Sequence, residues 1–139
     1  MRTFGLIGAC VAGLLMGATM SAEAKSASLS DYRWKSRVLV IVAPTAEDSE
    51  LIAQRRLFKE ASKGMAERDV VLLEAAGDSE RARQIRSQLS AGSGQFRAIL
   101  VGKDGNTAFS SGKPVTAAEL FGRIDAMPMR RDEMRRGKD

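Results

Sequence analysis

The sequence has no histidine and one cysteine, Cys10, in 139 residues. With one cysteine no disulfide can form within the chain, and without histidine a Ser-His-Asp triad cannot be built. Zinc and copper sites normally use histidine or cysteine ligands, so we expect neither a metal nor another cofactor. Acid–base chemistry would depend on carboxylates, lysines or Tyr32.

The chain also lacks a long apolar run, since the apolar stretch near its start is short. Arg2 precedes an apolar stretch from Leu6 to Met16, and Ala22-Glu23-Ala24 has the small-x-small pattern of a signal-peptidase site. Residues 1–24 are therefore interpreted as a signal peptide cleaved after Ala24. A membrane anchor, which needs about 20 apolar residues, and a lipoprotein signal at Cys10 are the less favoured alternatives.

Cleavage would leave a mature chain without cysteine or a transmembrane segment, located in the periplasm or secreted. The net charge is +5, and the signal removes one Arg and one Glu, so the mature chain keeps that balance. Outside the cytoplasm a basic surface favours anionic lipids or cell-wall polymers over nucleic acid, although solubility alone explains a modest net charge.

Three short apolar runs predict buried strands, because strands covered on both faces are continuously apolar. Helical patterns separate them, and Asp104-Gly105 predicts a hairpin to a fourth, edge strand. Thr45 with Asp48, then Asp78, then Thr116 with Glu119, are the expected helix caps. The strand runs are Val38–Ala43, Val70–Leu73 and Phe96–Val101, the edge strand is 107–111, and the first helix is 46–66.

The resulting order is β-α-β-α-β-β-α, which is the order of the thioredoxin fold. It predicts an α/β domain with a four-stranded mixed sheet and helices on both faces. We place this domain at 37–128, after an N-terminal linker and aromatic/basic segment at 25–36. A charged C-terminal tail, 129–139, follows, and the sequence leaves open whether that tail is helical.

Three sequence patches carry a resemblance to a known family. They are Asp31-Tyr32-Arg33-Trp34 with Arg37, Gly102-Lys103-Asp104-Gly105, and Asp125-Ala126-Met127-Pro128-Met129-Arg130-Arg131 with Glu133. Together they resemble the bacterial branch of the DUDES domains, thioredoxin-like domains of unknown function related to domains of some vertebrate secreted matrix proteins. The resemblance implies fold and location, not an activity. It marks as structural motif residues Tyr32, Lys103, Asp104, Gly105, Asp125, Met127, Pro128 and Met129.

Thiol chemistry does not fit this chain despite the expected fold. A redox site needs a thiolate at the start of the first helix, but residues 44–48 contain no cysteine and are acidic. The segment 94–96 before the third strand also lacks the proline that such sites use. A degenerate peroxiredoxin-like protein remains an alternative.

The favoured function is a non-catalytic binding or interaction module. Its candidate residues are Arg33, Trp34, Arg37, Arg130 and Arg131. Guanidinium groups bind carboxylate or phosphate by paired hydrogen bonds, so the expected partner is a small anionic ligand or an envelope protein. In a purely structural alternative, Trp34 covers the core and Arg33 or Arg37 pairs with Asp31 or Asp125.

Other chemistries are less favoured. An enzyme could use Lys103 and Asp104 with Asp48 and Glu50, but nothing in the sequence brings these together. Met127 and Met129 could suggest copper, yet packing of a helix end explains them better. The tail is a poor membrane helix, because acidic residues interrupt its basic ones.

Overall fold

The computed structural model describes residues 28–137. The expected signal segment and its cleavage site after Ala24 lie outside this range. The described helices are α1 (Leu29–Tyr32), α2 (Ser49–Glu60), α3 (Ser62–Glu67), α4 (Glu80–Gln88), α5 (Ala117–Asp125) and α6 (Pro128–Arg136). The strands are β1 (Arg37–Ala43), β2 (Val70–Ala76), β3 (Arg97–Val101) and β4 (Thr107–Ser111).

The four strands form one mixed sheet in the order β2-β1-β3-β4. Strand β1 is parallel to β2 and antiparallel to β3, and β3 is antiparallel to β4. All seven residues of β1 are buried, as its continuous apolar run predicts for a strand covered on both faces. The predicted thioredoxin-like α/β fold class is confirmed, including the hairpin and the position of β4 at an edge.

Side chains of β1 alternate between two hydrophobic cores because successive strand residues point to opposite faces. Leu39 and Ile41 pack in the core that includes residues of α2, α3 and α5. Val38 and Val40 pack in the core that includes residues of α4, against which α1 also packs. Fully burying each such side chain contributes about 1.5–3 kcal/mol, so helices on both faces hold the central strand.

The first predicted helix, 46–66, is wrong in its start and its continuity. A turn in which Thr45 O accepts from the Asp48 N–H at 3.3 Å precedes α2. Asp48 rather than Thr45 is therefore the N-cap, and its carboxylate accepts from the N–H groups of Glu50 and Leu51 at 3.0 and 3.1 Å. The helical pattern also breaks at Ala61, which separates α2 from α3.

The cap of α4 also differs from the prediction, whereas the cap of α5 agrees with it. Gly77 and Asp78 form the turn after β2, so Ser79 becomes the N-cap and accepts from the Ala82 N–H at 3.1 Å. Thr116 caps α5 as predicted and accepts from the Glu119 N–H at 3.2 Å. Local sequence thus located both helix starts to within a residue.

The topology gives the sheet two chemically different ends. Strand β1 leads at its carboxyl end to residues 44–48 and α2. Its amino end, at Arg37, lies beside Val70 of β2 and next to the Val38–Val101 pair. We call this second end the basal end. The turn 102–106 between β3 and β4 lies there, because β3 runs antiparallel to β1.

Candidate ligand-binding site at the basal end

Residues from distant parts of the chain meet at the basal end in a chain of ion pairs. Arg37 donates to Glu133 of α6 through both terminal nitrogens, with Nη1–Oε2 at 3.2 Å and Nη2–Oε1 at 3.1 Å. It also donates from Nη1 to the carbonyl of Arg68 at 2.8 Å. Lys103 Nζ donates to Glu133 Oε1 at 2.7 Å and to Asp69 Oδ2 at 2.8 Å. Glu133 therefore joins α6 to β1 and to the β3–β4 turn.

A second group of pairs ties α6 to α3 and α5. Arg68 donates to Asp125 through Nε at 3.0 Å and Nη2 at 2.9 Å. Arg130 donates from Nε to Asp125 Oδ1 at 3.2 Å and from Nη1 to the carbonyl of Glu67 at 3.1 Å. The segment for which the sequence left helix or tail open is thus the helix α6, and it is bonded to the body of the domain.

We call these residues the basal ion network. Its members are Arg37, Arg68, Lys103 and Arg130 with Glu67, Asp69, Asp125 and Glu133. Four cations and four carboxylates balance, so the network as a whole carries no excess charge. Its main consequence is mechanical, because it fixes α6 against the sheet.

The network moves the pKa values of three of its members, Lys103, Asp125 and Glu133, further from pH 7. Burial by itself raises the pKa of Glu133, but hydrogen bonds from Arg37 and Lys103 outweigh burial, and the pKa is lowered. The pKa of Asp125 is lowered chiefly by its hydrogen bond from Arg68. Burial by itself lowers the pKa of Lys103, but its bonds to Asp69 and Glu133 outweigh burial, and the pKa is raised. Every one of these groups is held charged at pH 7.

A cavity of about 260 Å³ lies beside the network, between the β3–β4 turn and the junction of α5 with α6. We call it the basal cavity. Its polar lining includes Arg37, Lys103 and Asp104, and its apolar lining includes Ala108, Met127 and Met129. The three sequence patches therefore converge here: Arg37 belongs to the first, Lys103 and Asp104 belong to the second, and the two methionines belong to the third.

Arg37 is the most unusual residue of this lining. It is 1% exposed, and its Nε, although buried, has no hydrogen-bond partner within residues 28–137. Buried donors are nearly always paired, and leaving one unpaired costs about 1–3 kcal/mol. The protein encloses this Nε, so the cost belongs to the fold and is offset by the three bonds of the terminal nitrogens.

Asp104 lines the basal cavity, but both of its carboxylate oxygens already accept hydrogen bonds. Its Oδ1 accepts from the Asn106 N–H at 3.0 Å, and its Oδ2 accepts from the Asn106 side-chain amide at 3.1 Å. The hydrogen bond from the Asn106 N–H is the main reason that the pKa of Asp104 is lowered. Gly105 has φ +87°, as the predicted Asp-Gly turn requires. Asp104 is therefore a turn residue that keeps its charge.

Arg33 and Trp34 form an exposed projection on the other side of the same turn. Trp34 is 61% exposed, and the guanidinium of Arg33 lies 5.2 Å from the centre of its ring. The backbone N–H of Trp34 donates to the carbonyl of Lys103 at 2.6 Å. This bond holds Trp34 at φ +67°. A positive φ is a genuine outlier for so bulky a residue. The structural alternative, in which Trp34 covers the core, is wrong.

The five binding residues proposed from sequence fall into different environments. Arg33 and Trp34 are exposed at the basal end, and Arg131 is exposed on α6. Arg37 and Arg130 belong to the basal ion network instead, with side chains 1% and 14% exposed. Their guanidinium groups bond to carboxylates of the chain itself, Glu133 and Asp125, and not to Asp31.

Sequence reasoning missed three network residues, Glu67, Arg68 and Asp69, and the cavity residue Ala108. Arg68 and Asp69 immediately precede β2, and β2 was expected to run parallel to β1. That pairing places the starts of both strands side by side, so it could have located these residues next to Arg37. Nothing in the sequence indicates that Ala108 lines a cavity.

The residues considered for an enzyme do not come together. Asp48 and Glu50 lie at the start of α2, at the carboxyl end of β1, whereas Lys103 and Asp104 lie at the basal end. In the described part of the chain, no three His, Cys, Asp or Glu residues are grouped so as to hold a metal ion. No helix among residues 28–137 is both long and apolar enough to cross a bilayer.

The chain thus folds as an α/β domain with a mixed four-stranded sheet, and its charged network lies at the basal end. Residues 28–133 match the family described as Domain of unknown function (DUF4174), and the chain belongs to that family. The matched range ends at Glu133, so it contains the whole basal ion network and the lining of the basal cavity. Neither the curated proteins nor the solved structures include a significant match to this chain.

Proposed function

We propose that this protein is an exported, non-catalytic binding module that holds a small ligand in the basal cavity. The observation that carries the proposal is the basal cavity, where the fixed charges of Arg37, Lys103 and Asp104 meet apolar walls that include Met127 and Met129.

The size and lining of the basal cavity support a small ligand. Its volume of about 260 Å³ lies just below the usual range for small-molecule sites, about 300–1,000 Å³. Apolar walls with a few fixed polar groups are typical of such sites. A ligand of several heavy atoms, or one side chain of a larger molecule, fits this description.

The electrostatics favour binding over catalysis. A general acid or base works best when its pKa lies near the working pH. In and beside the basal cavity the pKa values of Asp104 and Glu133 are lowered and that of Lys103 is raised. Each shift moves the pKa of the group further from pH 7, so these residues are suited to act as fixed charges and not to transfer protons.

Export is supported by residues 1–24, with their positive start, apolar stretch and Ala22-Glu23-Ala24 pattern. N-terminal sequencing of the protein made in a bacterial host tests it, and we expect Lys25 as the first residue in the periplasmic fraction or the medium. An intact Met1 terminus in the cytoplasmic fraction would contradict export. An intact terminus in the membrane fraction would support the anchor alternative.

The binding proposal can be tested with a library of small neutral, anionic and cationic fragments followed by NMR. We expect some fragments to shift the amide signals of residues 102–108 and those of Met127, Met129 and Arg130. Ala108→Leu should fill the cavity and abolish these shifts. Ala118→Leu is the matched control, because Ala118 is exposed on α5 and does not line the cavity. If no fragment shifts these signals, or if both variants behave as the wild type does, the site is wrongly assigned.

A second candidate function is docking to an envelope protein through Arg33 and Trp34. The observation that favours it is the exposed indole, held in a strained left-handed conformation beside a guanidinium. Trp34→Ala should remove a partner retained by the immobilised protein at high salt, and Ile52→Ala, at another exposed apolar residue, should not. Equal retention by both variants would exclude this surface.

A further inference from the structure

Strand β4 has one backbone edge that pairs with no other strand among residues 28–137. It stands last in the sheet order and pairs with β3 alone. It contains neither a charged residue nor a proline, which commonly protect exposed edges. A register shift opposite Val101 disturbs only its start, and the pairing is regular from Phe109 to Ser111. The other edge strand, β2, differs, because α3 and α4 pack on it and its Glu74 pairs with Arg55.

On one face of the sheet, a cavity with an unneutralised cation lies beside this edge. The cavity has a volume of about 380 Å³ and lies between the segment 89–92 and the outer strands. Arg97 Nη2 donates to Ser110 Oγ at 2.6 Å, so the guanidinium extends from β3 over β4. No ion pair within residues 28–137 includes Arg97, and no carboxylate lines the cavity. We call it the basic cavity, because its lining carries a single positive charge.

On the opposite face a second cavity, of about 400 Å³, also reaches β4. Its lining is mainly apolar and includes Phe109, Leu100 and Ala126. We call it the outer apolar cavity. Its one cation, Arg123, lies over the ring of Phe109 at 3.7 Å and pairs with Glu119 at 3.3 Å. An apolar side chain therefore fits this cavity, whereas a carboxylate would find the cation already paired.

The two cavities together match the side-chain alternation of one further strand. Successive strand residues point to opposite faces, and neighbouring strands lie about 4.8 Å apart. In β4 itself Ser110 lines the basic cavity and Phe109 lines the outer apolar cavity. A strand added to β4 would place every second side chain beside Arg97 and the others beside Phe109. In this mode of recognition, main-chain bonds give affinity and pockets for alternate side chains give specificity.

The charges around β4 favour an acidic partner over a second copy of the chain. The segment 94–113 carries three cations and one carboxylate, Asp104, which belongs to the turn. Pairing of two β4 strands would bring a second Arg97 and a second Lys113 to the edge without a carboxylate for either. A carboxylate on an added strand would instead form charge-assisted hydrogen bonds with Arg97.

We propose that β4 is a docking edge for an extended segment of another protein, in which acidic residues alternate with apolar ones. The acidic side chains lie in the basic cavity beside Arg97, and the apolar ones lie in the outer apolar cavity beside Phe109. Neither Arg97 nor Phe109 lines the basal cavity, so this inference goes beyond the proposed function and does not depend on it.

The test is an NMR titration with the peptide acetyl-Thr-Val-Glu-Val-Glu-Val-Thr-amide. Two control peptides are matched to it: one has glutamine for both glutamates, and the other, acetyl-Thr-Val-Val-Glu-Glu-Val-Thr-amide, has the same composition without the alternation. We expect the alternating acidic peptide to bind at least about threefold more tightly than either control, and less so at high salt. The amide signals of residues 109–111 should shift, and the outward-pointing amides of β4 should become protected from hydrogen exchange.

A charge variant checks the role of Arg97. Arg97→Met should remove the preference for glutamate over glutamine in the peptide. Arg83→Met, at an exposed position of α4 that lines neither cavity, should keep that preference. Circular dichroism shows whether each variant is folded, and if Arg97→Met does not fold, the three-peptide comparison in the wild type still decides.

The outcomes separate this inference from the binding of a small ligand in the basal cavity. Equal binding of the three peptides, or an unchanged preference in Arg97→Met, would overturn the alternating acidic class. Absence of binding, or binding without exchange protection in β4, would overturn the docking edge. Exchange protection that rises with protein concentration in the absence of peptide would assign the edge to a second copy and refute the proposal. None of these results bears on the fragment shifts at residues 102–108, which test the basal cavity.

Discussion

Glu133→Gln removes the charge at the centre of the basal ion network while keeping the shape of the side chain. Glu133 accepts three hydrogen bonds from cationic donors, two from Arg37 and one from Lys103. Breaking a fully buried ion pair costs about 3–5 kcal/mol. Glu133 is 25% exposed and glutamine keeps one acceptor oxygen, so we expect a loss of about 2 kcal/mol. At about 4 °C per kcal/mol for a domain of this size, Tm should fall by roughly 8 °C.

The control is Asp132→Asn on the same helix, where the pair with Arg135 is exposed, with side chains 47% and 77% accessible. Exposed pairs contribute little, so we expect less than about 0.5 kcal/mol there. Urea denaturation followed by circular dichroism measures both variants, provided that the m-values stay equal. If Glu133→Gln and Asp132→Asn lose the same small amount, Glu133 does not hold α6 in place and the reasoning fails.

Three further predictions use other parts of the structure. Because the pKa of Glu133 is lowered by folding, its contribution to stability is present above the unfolded value of about 4.3 and is lost as pH falls through the folded value. The urea midpoint of the wild type should therefore decrease more steeply below about pH 4.3 than that of Glu133→Gln, and parallel curves would refute this. Gly64→Ala should lose about 1–3 kcal/mol, because its Cβ would lie 2.6 Å from the ring of Phe121. Gly122→Ala should gain about 0.5–1 kcal/mol, because its Cβ has open space in a helix, and the same sign in both glycine variants would contradict the packing. Trp34 is the only tryptophan and is exposed, so the fluorescence maximum should shift little on unfolding, and a strongly blue-shifted native spectrum would mean that the indole is buried.

The fold was predictable because its signals are local and apolar. The run Val38–Ala43 can only be accommodated where both faces of a strand are covered, and this places β1 in the middle of the sheet. The Asp104-Gly105 turn fixes the antiparallel hairpin, since Gly105 adopts the positive φ that the turn needs. Order, pairing and edge position of the strands follow from these two features and the helices between them.

The candidate site was only partly predictable, because burial of a charged side chain depends on partners far along the chain. The sequence places Arg37 next to Arg33 and Trp34, and all three appear equally available for binding. In the structure Arg37 pairs with Glu133, which is 96 residues away, and becomes buried. Both ends of this pair stand in the sequence patches that carry the family resemblance. The patches do not show that the two residues meet, since the same sequence is compatible with a free tail.

The basal ion network lies away from the place where a thioredoxin-like fold would hold a redox site. In this chain the start of α2, where a redox thiolate would lie, is capped by the carboxylate of Asp48. Chemistry belongs to the site and not to the fold, and here the unsatisfied and strained groups lie at the opposite end of the sheet. Lys103 connects the exposed Trp34 to the basal ion network. Its carbonyl accepts from the Trp34 N–H, and its ammonium donates to Glu133. A ligand that draws the ammonium of Lys103 away from Glu133 must therefore act on the residue that also anchors Trp34, which makes the turn 102–106 the segment to monitor in any binding experiment.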